Sequence, residues 1–213
     1  MSGYAADVAA LARKDLLLEL RSRDTLPAML LFVVSALTVF HFALPAGSSA
    51  RAETGLLWIA IVFTALLGLG RAFSAEREQG ALDGLVLAPC DRSVIWLGKT
   101  IGVTAFLVLA ELVALPAFAL FFHPLSWELL AAVALADVGI AAIGTLLAAM
   151  AAASRARELI LPLMFLPLVI PVVIGGVGAS VAANAGSFLG FLGLYDAVFA
   201  ILCWASFEYV VTE

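Results

Sequence analysis

The sequence predicts an all-α membrane protein with six transmembrane helices, an N-terminal interfacial helix and a short helix between the second and third spans. The chain has 213 residues, of which 64% are hydrophobic and only 13% charged. Its mean hydropathy is +1.14, far above that of soluble globular domains. Several segments approach the roughly 20 apolar residues that cross a hydrocarbon core about 30 Å thick. We therefore expect residues 1–213 to form a single transmembrane domain.

The first helix is predicted over residues 7–24, which contain no proline or glycine. On a helical wheel the basic residues Arg13, Lys14 and Arg21 fall on one side, and Asp15 lies across from them. Apolar residues are interleaved with the charges, so the segment is typical of a helix at the membrane surface. A partly ordered, charged tail is the alternative.

Six apolar segments follow, separated by short polar or turn-rich connections. The third span contains Pro116, and the fourth is rich in alanine and glycine, which permits close helix packing. The predicted spans are residues 26–44, 54–73, 94–122, 127–153, 159–179 and 188–211.

The fifth span contains Pro162, Pro167 and Pro171 and finishes in the glycine-rich run 175–178. Each proline removes a backbone donor and clashes with the carbonyl four residues before it. We therefore expect this span to be kinked or broken, with neighbouring helices or water satisfying the freed groups.

The basic residues predict the orientation of the spans. With both termini in the cytoplasm, ten of the eleven Lys and Arg residues lie on the cytoplasmic side and only Arg51 lies outside. Such asymmetry is a strong positive-inside signal.

Glu111, Asp137 and Asp196 fall inside predicted spans, away from the span ends. Glu111 and Asp137 lie near the middle of adjacent antiparallel spans, where each carboxylate costs about 2.5–3.5 kcal/mol. We expect them to face one another or a shared cavity as a polar seam that opens during transport. Local hydrogen bonds to Thr104, Thr145 or the backbone are the alternative. Asp196 lies nearer the outer side, where we expect an interfacial position.

The run Gly98-Lys99-Thr100 resembles the end of a phosphate-binding loop. The complete pattern requires a glycine five positions before Gly98, where Ser93 stands. We therefore interpret Lys99 as a lysine that snorkels from the mouth of the third span to water.

Histidine and cysteine carry little information here. His41 and His123 lie near the outer ends of spans, and no spacing favours metal or haem ligation. Cys90 and Cys203 belong to no CxxC pattern and predict no disulfide framework. No nucleophile and base are paired for catalysis, so the chain is not predicted to be an enzyme.

The longest polar interruption between apolar segments runs over residues 71–99. Within it, residues 74–89 predict a short helix with Leu82, Leu85 and Val86 on one face. A helix with an apolar face flanked by acidic residues suits a groove on a soluble partner. A helix lying flat on lipid is the alternative.

Three stretches together resemble the haem exporter protein B (CcmB) family, whose members are ABC transporter permeases of cytochrome c maturation. The resemblance covers essentially the whole chain, and the proline-spaced stretch is the most specific of the three. The stretches are LARKDLLLELRSRDTLPAMLLFVV, EREQGALDGLVLAPCDRSVIWLGK and LPLMFLPLVIPVVIGGVG.

The resemblance implies a permease subunit in the bacterial inner membrane that serves haem export or delivery. It implies a cytoplasmic ABC ATPase as partner, which binds the ATP. It also implies a haem-handling membrane subunit with a tryptophan-rich motif, a small single-span subunit, a periplasmic haem chaperone and a second copy of this chain. Haem is then a transported or handled ligand. The coupling segment carried over from the family consists of Glu76, Arg77, Glu78, Gly80, Asp83 and Leu85.

Two other functions stay open. The chain is alternatively an exporter permease for another lipid or drug, or a structural membrane scaffold that anchors such a complex. Neither involves nucleic acid, for which the sequence contains no motif.

Overall fold

The computed structural model describes residues 3–22, 25–73, 91–154 and 157–212, and this part of the chain consists of seven α-helices without a strand. The all-α prediction is therefore confirmed. The helices are α1 (Tyr4–Ser22), α2 (Thr25–Ala43), α3 (Ala50–Leu69), α4 (Arg92–Phe121), α5 (Trp127–Ala153), α6 (Arg157–Val181) and α7 (Ala185–Thr212).

Helices α2 to α7 are each long and apolar enough to cross a membrane. Each matches one of the six predicted spans, with ends that differ by up to four residues. The chain is thus a multi-pass membrane protein. Large exposed apolar side chains such as Leu31, Leu120 and Leu163 suit helices whose outer surfaces face lipid.

The second span differs most from the sequence prediction, since both its start and its end lie four residues earlier than predicted. Helix α3 ends at Leu69, and residues 71–73 form a turn after the capping residue Gly70. The predicted continuation of this span to residue 73 is therefore wrong. The predicted coupling segment, residues 74–89, lies outside the described residues and stays a prediction.

Helix α5 lies at the centre of the bundle. It packs against α3, α4, α6 and α7. In an apolar stretch of 18 residues, 67% of the α5 residues are buried, compared with 17% in the corresponding stretches of α2 and α7. Its small residues allow this, since Gly144 leaves space that Leu69 of α3 fills. Helices α2 and α7 therefore offer most surface to lipid or to other chains.

Helix α6 continues unbroken through its three prolines. The Tyr195 hydroxyl of α7 donates a hydrogen bond to the carbonyl of Leu168, 2.5 Å away, three residues before Pro171. The predicted glycine-rich end of this span belongs to the helix. A Cβ at Gly176 would overlap the indole of Trp58 in α3, and one at Gly178 would overlap Phe188 in α7.

Helix α1 is ordered as a helix and packs against α4, with few contacts to α2. Val8 and Ala12 are buried in this contact, whereas Leu17 and Leu18 are about half exposed. The alternative of a partly ordered tail is therefore wrong for Tyr4–Ser22. Its position at a membrane surface stays a prediction.

Candidate functional site

Lys99 is buried, although the sequence predicted that its side chain reaches water. Its side chain is only 4% exposed and forms an ion pair with Asp15 of α1, with 3.0 Å between Nζ and Oδ2. None of the described residues donates a well-angled hydrogen bond to that oxygen, so the contact is mainly electrostatic. The Lys99 ammonium also donates to the carbonyl of Ala72 at 2.7 Å and lies 4.9 Å from the centre of the Phe73 ring. Lys99 therefore does not snorkel to water.

The reason for this burial is the close approach of α1 to α4. Gly98 faces Leu11 so closely that a Cβ at position 98 would lie 2.9 Å from Leu11 Cδ2. Gly102, one turn further on, faces the Cβ of Asp15. Two glycines spaced four apart let helix backbones approach, and this spacing was a signal for the contact that the sequence analysis missed. The packed backbones cover Lys99 and bring Asp15 within reach of it.

Further contacts gather around the start of α4. The Tyr4 hydroxyl of α1 lies 3.0 Å from Ser93 Oγ, and Arg92 pairs with Glu208 of α7 at 3.4 Å. The Asp91 carboxylate caps α4 by accepting the backbone N–H of Ser93 at 2.9 Å. Hydrogen bonds from the side chain and backbone of Ser93 hold the pKa of Asp91 below its ordinary value.

These contacts frame both ends of the polar segment. Ala72 and Phe73 precede residues 74–90 and Asp91 follows them, so Lys99 lies at the base of that segment. We call Asp15, Ala72, Phe73 and Lys99 the Lys99 junction. A cavity of about 50 Å³ beside it is lined by residues of α1 to α4 and is large enough to hold water. The junction thus joins α1, the end of α3 and α4 at one point.

Glu111 and Asp137 lie together in the structure. Both side chains are buried, and both line one groove between α4 and α5. The two threonines that were the alternative partners do not donate to these carboxyl groups. Thr104 donates to the carbonyl of Thr100, and Thr145 Oγ1 has no hydrogen-bond partner among the described residues. Their role as a polar seam stays a prediction.

Asp196 is buried inside the bundle, while its predicted interfacial depth stays a prediction. It is 3% exposed and packs against Gly139 of α5, where a Cβ would overlap its carboxyl group. Both of its carboxyl oxygens lack a hydrogen-bond partner among the described residues. This contact could not be predicted from the distance between Asp196 and the span end, because that distance does not show which helix the side chain faces.

The histidines lie at the other end of the bundle. His123 Nε2 is 3.3 Å from Thr54 Oγ1, and Phe118 contacts its ring edge-on. The His41 ring packs among Phe42, Phe121 and Phe122. No cluster of three metal-ligating side chains occurs in the described part of the chain.

The remaining predicted residues are divided between described and undescribed segments. Cys203 is a buried free thiol in α7. The predicted coupling residues and Cys90 fall outside the described residues, so their placement stays a prediction. These coupling residues are Glu76, Arg77, Glu78, Gly80, Asp83 and Leu85.

Comparison with known proteins gives a consistent result. The family model described as "CcmB protein" matches residues 6–210. "Heme exporter protein B" of Rhodobacter capsulatus is 31% identical over 172 residues, which cover 78% of this chain and 79% of that protein. The protein of the same name from Paracoccus denitrificans is 30% identical over 84% of both chains. A third, from Bradyrhizobium diazoefficiens, is 29% identical over 92% of this chain and 88% of its own length.

The family model extends from α1 through α7 and therefore includes the Lys99 junction, Glu111, Asp137 and the proline-containing helix. The chain belongs to the CcmB protein family.

Proposed function

We propose that this chain is the transmembrane permease subunit of an ABC-type complex for haem export or delivery in c-type cytochrome biogenesis. The observation that carries the proposal is that relatives aligned over 78% to 92% of the chain are each named for haem export. The chain itself is not an enzyme in this proposal. ATP hydrolysis belongs to a cytoplasmic ATPase subunit, and the permease lies in the bacterial inner membrane with both termini cytoplasmic.

Complementation tests this proposal. The chain is expressed in a bacterium that lacks its own heme exporter protein B, and holo-cytochrome c is measured by haem staining. Restored cytochromes support the haem role. Their absence, with the chain present in the membrane, favours the alternative of an exporter for another lipid or drug.

The proposed mechanism begins at residues 74–89, which bind the ATPase. A helix that rides on the ATPase dimer moves when the dimer closes. The Lys99 junction supports this step, since Lys99 of α4 contacts Ala72 and Phe73, the residues directly before the segment, and pairs with Asp15 of α1. The movement is coupled to haem transfer, or to release of a haem-loaded periplasmic chaperone from a haem-handling subunit. A small single-span subunit and a second copy of this chain complete the proposed complex.

The coupling segment is tested by matched substitutions. Glu78→Gln and Gly80→Leu are expected to reduce co-purification of the ATPase and the yield of holo-cytochrome c. Glu128→Gln and Gly55→Leu, at the other end of the bundle, are the controls; Gly55 has open space around it. Wild-type ATPase recovery with both coupling variants contradicts the proposal.

Helix α6 is the element that we expect to change shape. Its prolines 162, 167 and 171 leave carbonyls without their usual donors, and it contacts both α3 and α7. A helix with weakened internal hydrogen bonds can occupy two packings that differ little in free energy. The polar seam of Glu111 and Asp137 would then open between α4 and α5.

The scaffold alternative makes a different prediction about the seam. If the chain only anchors other subunits, Glu111→Ala and Asp137→Ala leave cytochrome yield unchanged once the protein is folded. A permease whose seam opens loses yield at equal protein level.

A further inference from the structure

A groove of about 420 Å³ lies between α4 and α5. We call it the α4–α5 groove, and its floor is formed by Glu111 and Asp137 with Val133 beside them. Exposed side chains at its rim, such as Leu112 and Leu130, open it toward the outside of the bundle. The volume falls in the range of sites for small molecules, about 300–1,000 Å³.

The groove reaches the depth of the membrane core. Glu111 lies ten residues before the end of α4, and Asp137 lies ten residues after the start of α5. At about 1.5 Å per residue each carboxyl is about 15 Å from its helix end, half of a core about 30 Å thick. A molecule in the groove therefore enters from the lipid phase.

The polar groups of the groove accept hydrogen bonds. Glu111 is 7% exposed and Asp137 2%, and Glu111 Oε1 and Asp137 Oδ1 have no partner among the described residues. Pro116, which also lines the groove, has no N–H to donate to the carbonyl of Leu112. None of the described lining residues is basic.

The charge of the floor defines the complementary ligand. Two buried carboxyl groups share the groove with no basic residue among its described lining, so a negative charge on either of them has no counter-ion there. Buried acceptors without donors are costly in lipid. A protonated amine supplies both donors and the opposite charge, whereas a carboxylate or phosphate adds like charge to the acceptors.

We propose that the α4–α5 groove binds lipophilic ammonium ions, single-chain amphiphiles whose amine contacts Glu111 and Asp137 and whose apolar chain lies against the groove walls. The proposal goes beyond the haem role and does not depend on it. A second copy of this chain that covers the groove is the competing occupant, and the experiment distinguishes the two.

The test uses the full chain in lipid nanodiscs and two fluorescent probes of equal length. These are 11-(dansylamino)undecylamine and 11-(dansylamino)undecanoic acid. The amine is expected to bind at least tenfold more tightly than the acid. The double variant Glu111→Gln/Asp137→Asn, which keeps shape and removes charge, is expected to lose that preference. Either single variant keeps one carboxyl group and is expected to lose less.

A steric pair separates the groove from general partition into lipid. Ala134 is exposed and lines the groove, whereas Val138, one turn further along α5, is exposed outside the lining. Ala134→Phe is expected to abolish amine binding, and Val138→Phe to leave it unchanged. Size-exclusion chromatography confirms that each variant is folded.

Any of three binding results overturns the proposal. The amine and the acid bind equally, the double variant binds both probes as the wild type does, or Ala134→Phe and Val138→Phe change amine binding to the same extent. A fourth comes from crosslinking. Efficient bismaleimide crosslinks between copies of Ala134→Cys, in a Cys90→Ser background and unaffected by excess amine, place a second copy in the groove.

Discussion

A buried ammonium group depends on its partners, and Lys99 and Lys14 allow a direct comparison around one carboxylate. Asp15 pairs with Lys99 at 3.0 Å and with Lys14 at 3.3 Å. The Lys99 side chain is 4% exposed and that of Lys14 42%. The N–O distance therefore differs little between the two pairs, whereas the exposure of the lysine side chain differs about tenfold.

Lys99→Met is expected to destabilise the protein by about 3 kcal/mol, because removal of one partner leaves a poorly solvated charge on the other. Lys14→Met is expected to cost less than about 1 kcal/mol, the usual value for an exposed pair. Thermal unfolding in detergent measures both. Asp15→Asn added to Lys99→Met should recover part of the loss, and equal effects of the two lysines would contradict the role of burial.

The contact between Gly139 and Asp196 gives a second residue-scale prediction. Gly139→Ala is expected to destabilise the bundle by about 1–3 kcal/mol, because its Cβ would overlap the carboxyl group and force α5 and α7 apart. Gly193→Ala in α7 has open space and should stabilise its helix by roughly 0.5–1 kcal/mol. The two variants should shift the unfolding temperature in opposite directions. Shifts of the same sign would show that the Asp196 carboxyl moves aside freely.

At the scale of helices, hydropathy alone was enough to predict α2 to α7, because lipid requires long apolar segments whose backbone bonds are internal. The end of α3 was not predictable in this way. Helix α3 ends at Leu69 although Arg71 to Phe73 continue a helix-compatible composition, and the contact of Lys99 with Ala72 forms only when α4 packs beside it.

The candidate site was predictable only where its residues share simple geometry. Glu111 and Asp137 belong to adjacent antiparallel spans at equal depth, so their approach follows from the sequence. Asp15 and Lys99 are 84 positions apart, and the pair requires α1 to dock on α4. The sequence of an interfacial helix shows which of its faces is apolar, but it does not show which other helix that face contacts.

The docking of α1 gives the prediction at element scale. Gly98→Ala is expected to weaken the α1–α4 contact, because Leu11 must move to admit the new Cβ. Gly102→Ala, whose Cβ would lie 3.8 Å from Asp15 Cβ, is the matched control and should be neutral or slightly stabilising. Hydrogen exchange of α1, followed by mass spectrometry, should rise for Gly98→Ala alone. A rise in both variants, or in neither, would contradict close packing as the basis of docking.

At the scale of the molecule, the two ends of the bundle differ in chemistry. One end gathers α1, the Lys99 junction and the Arg92–Glu208 pair. The other holds His41 and His123 among phenylalanines. The proposed ATPase site at residues 74–89 would therefore lie at the end opposite the histidines, and α5 and α6 join the two ends.

This polarity predicts the orientation in the membrane. Alkaline phosphatase fused after Gly47 or after Asn184, at the end with the histidines, is expected to be active in the bacterial periplasm. A fusion after Arg155 is expected to be inactive, because Lys and Arg near span ends retain those ends in the cytoplasm. Green fluorescent protein at the same three positions should show the reverse pattern, which controls for expression. Phosphatase activity after Arg155 with none after Gly47 would invert the topology and separate residues 74–89 from any cytoplasmic ATPase.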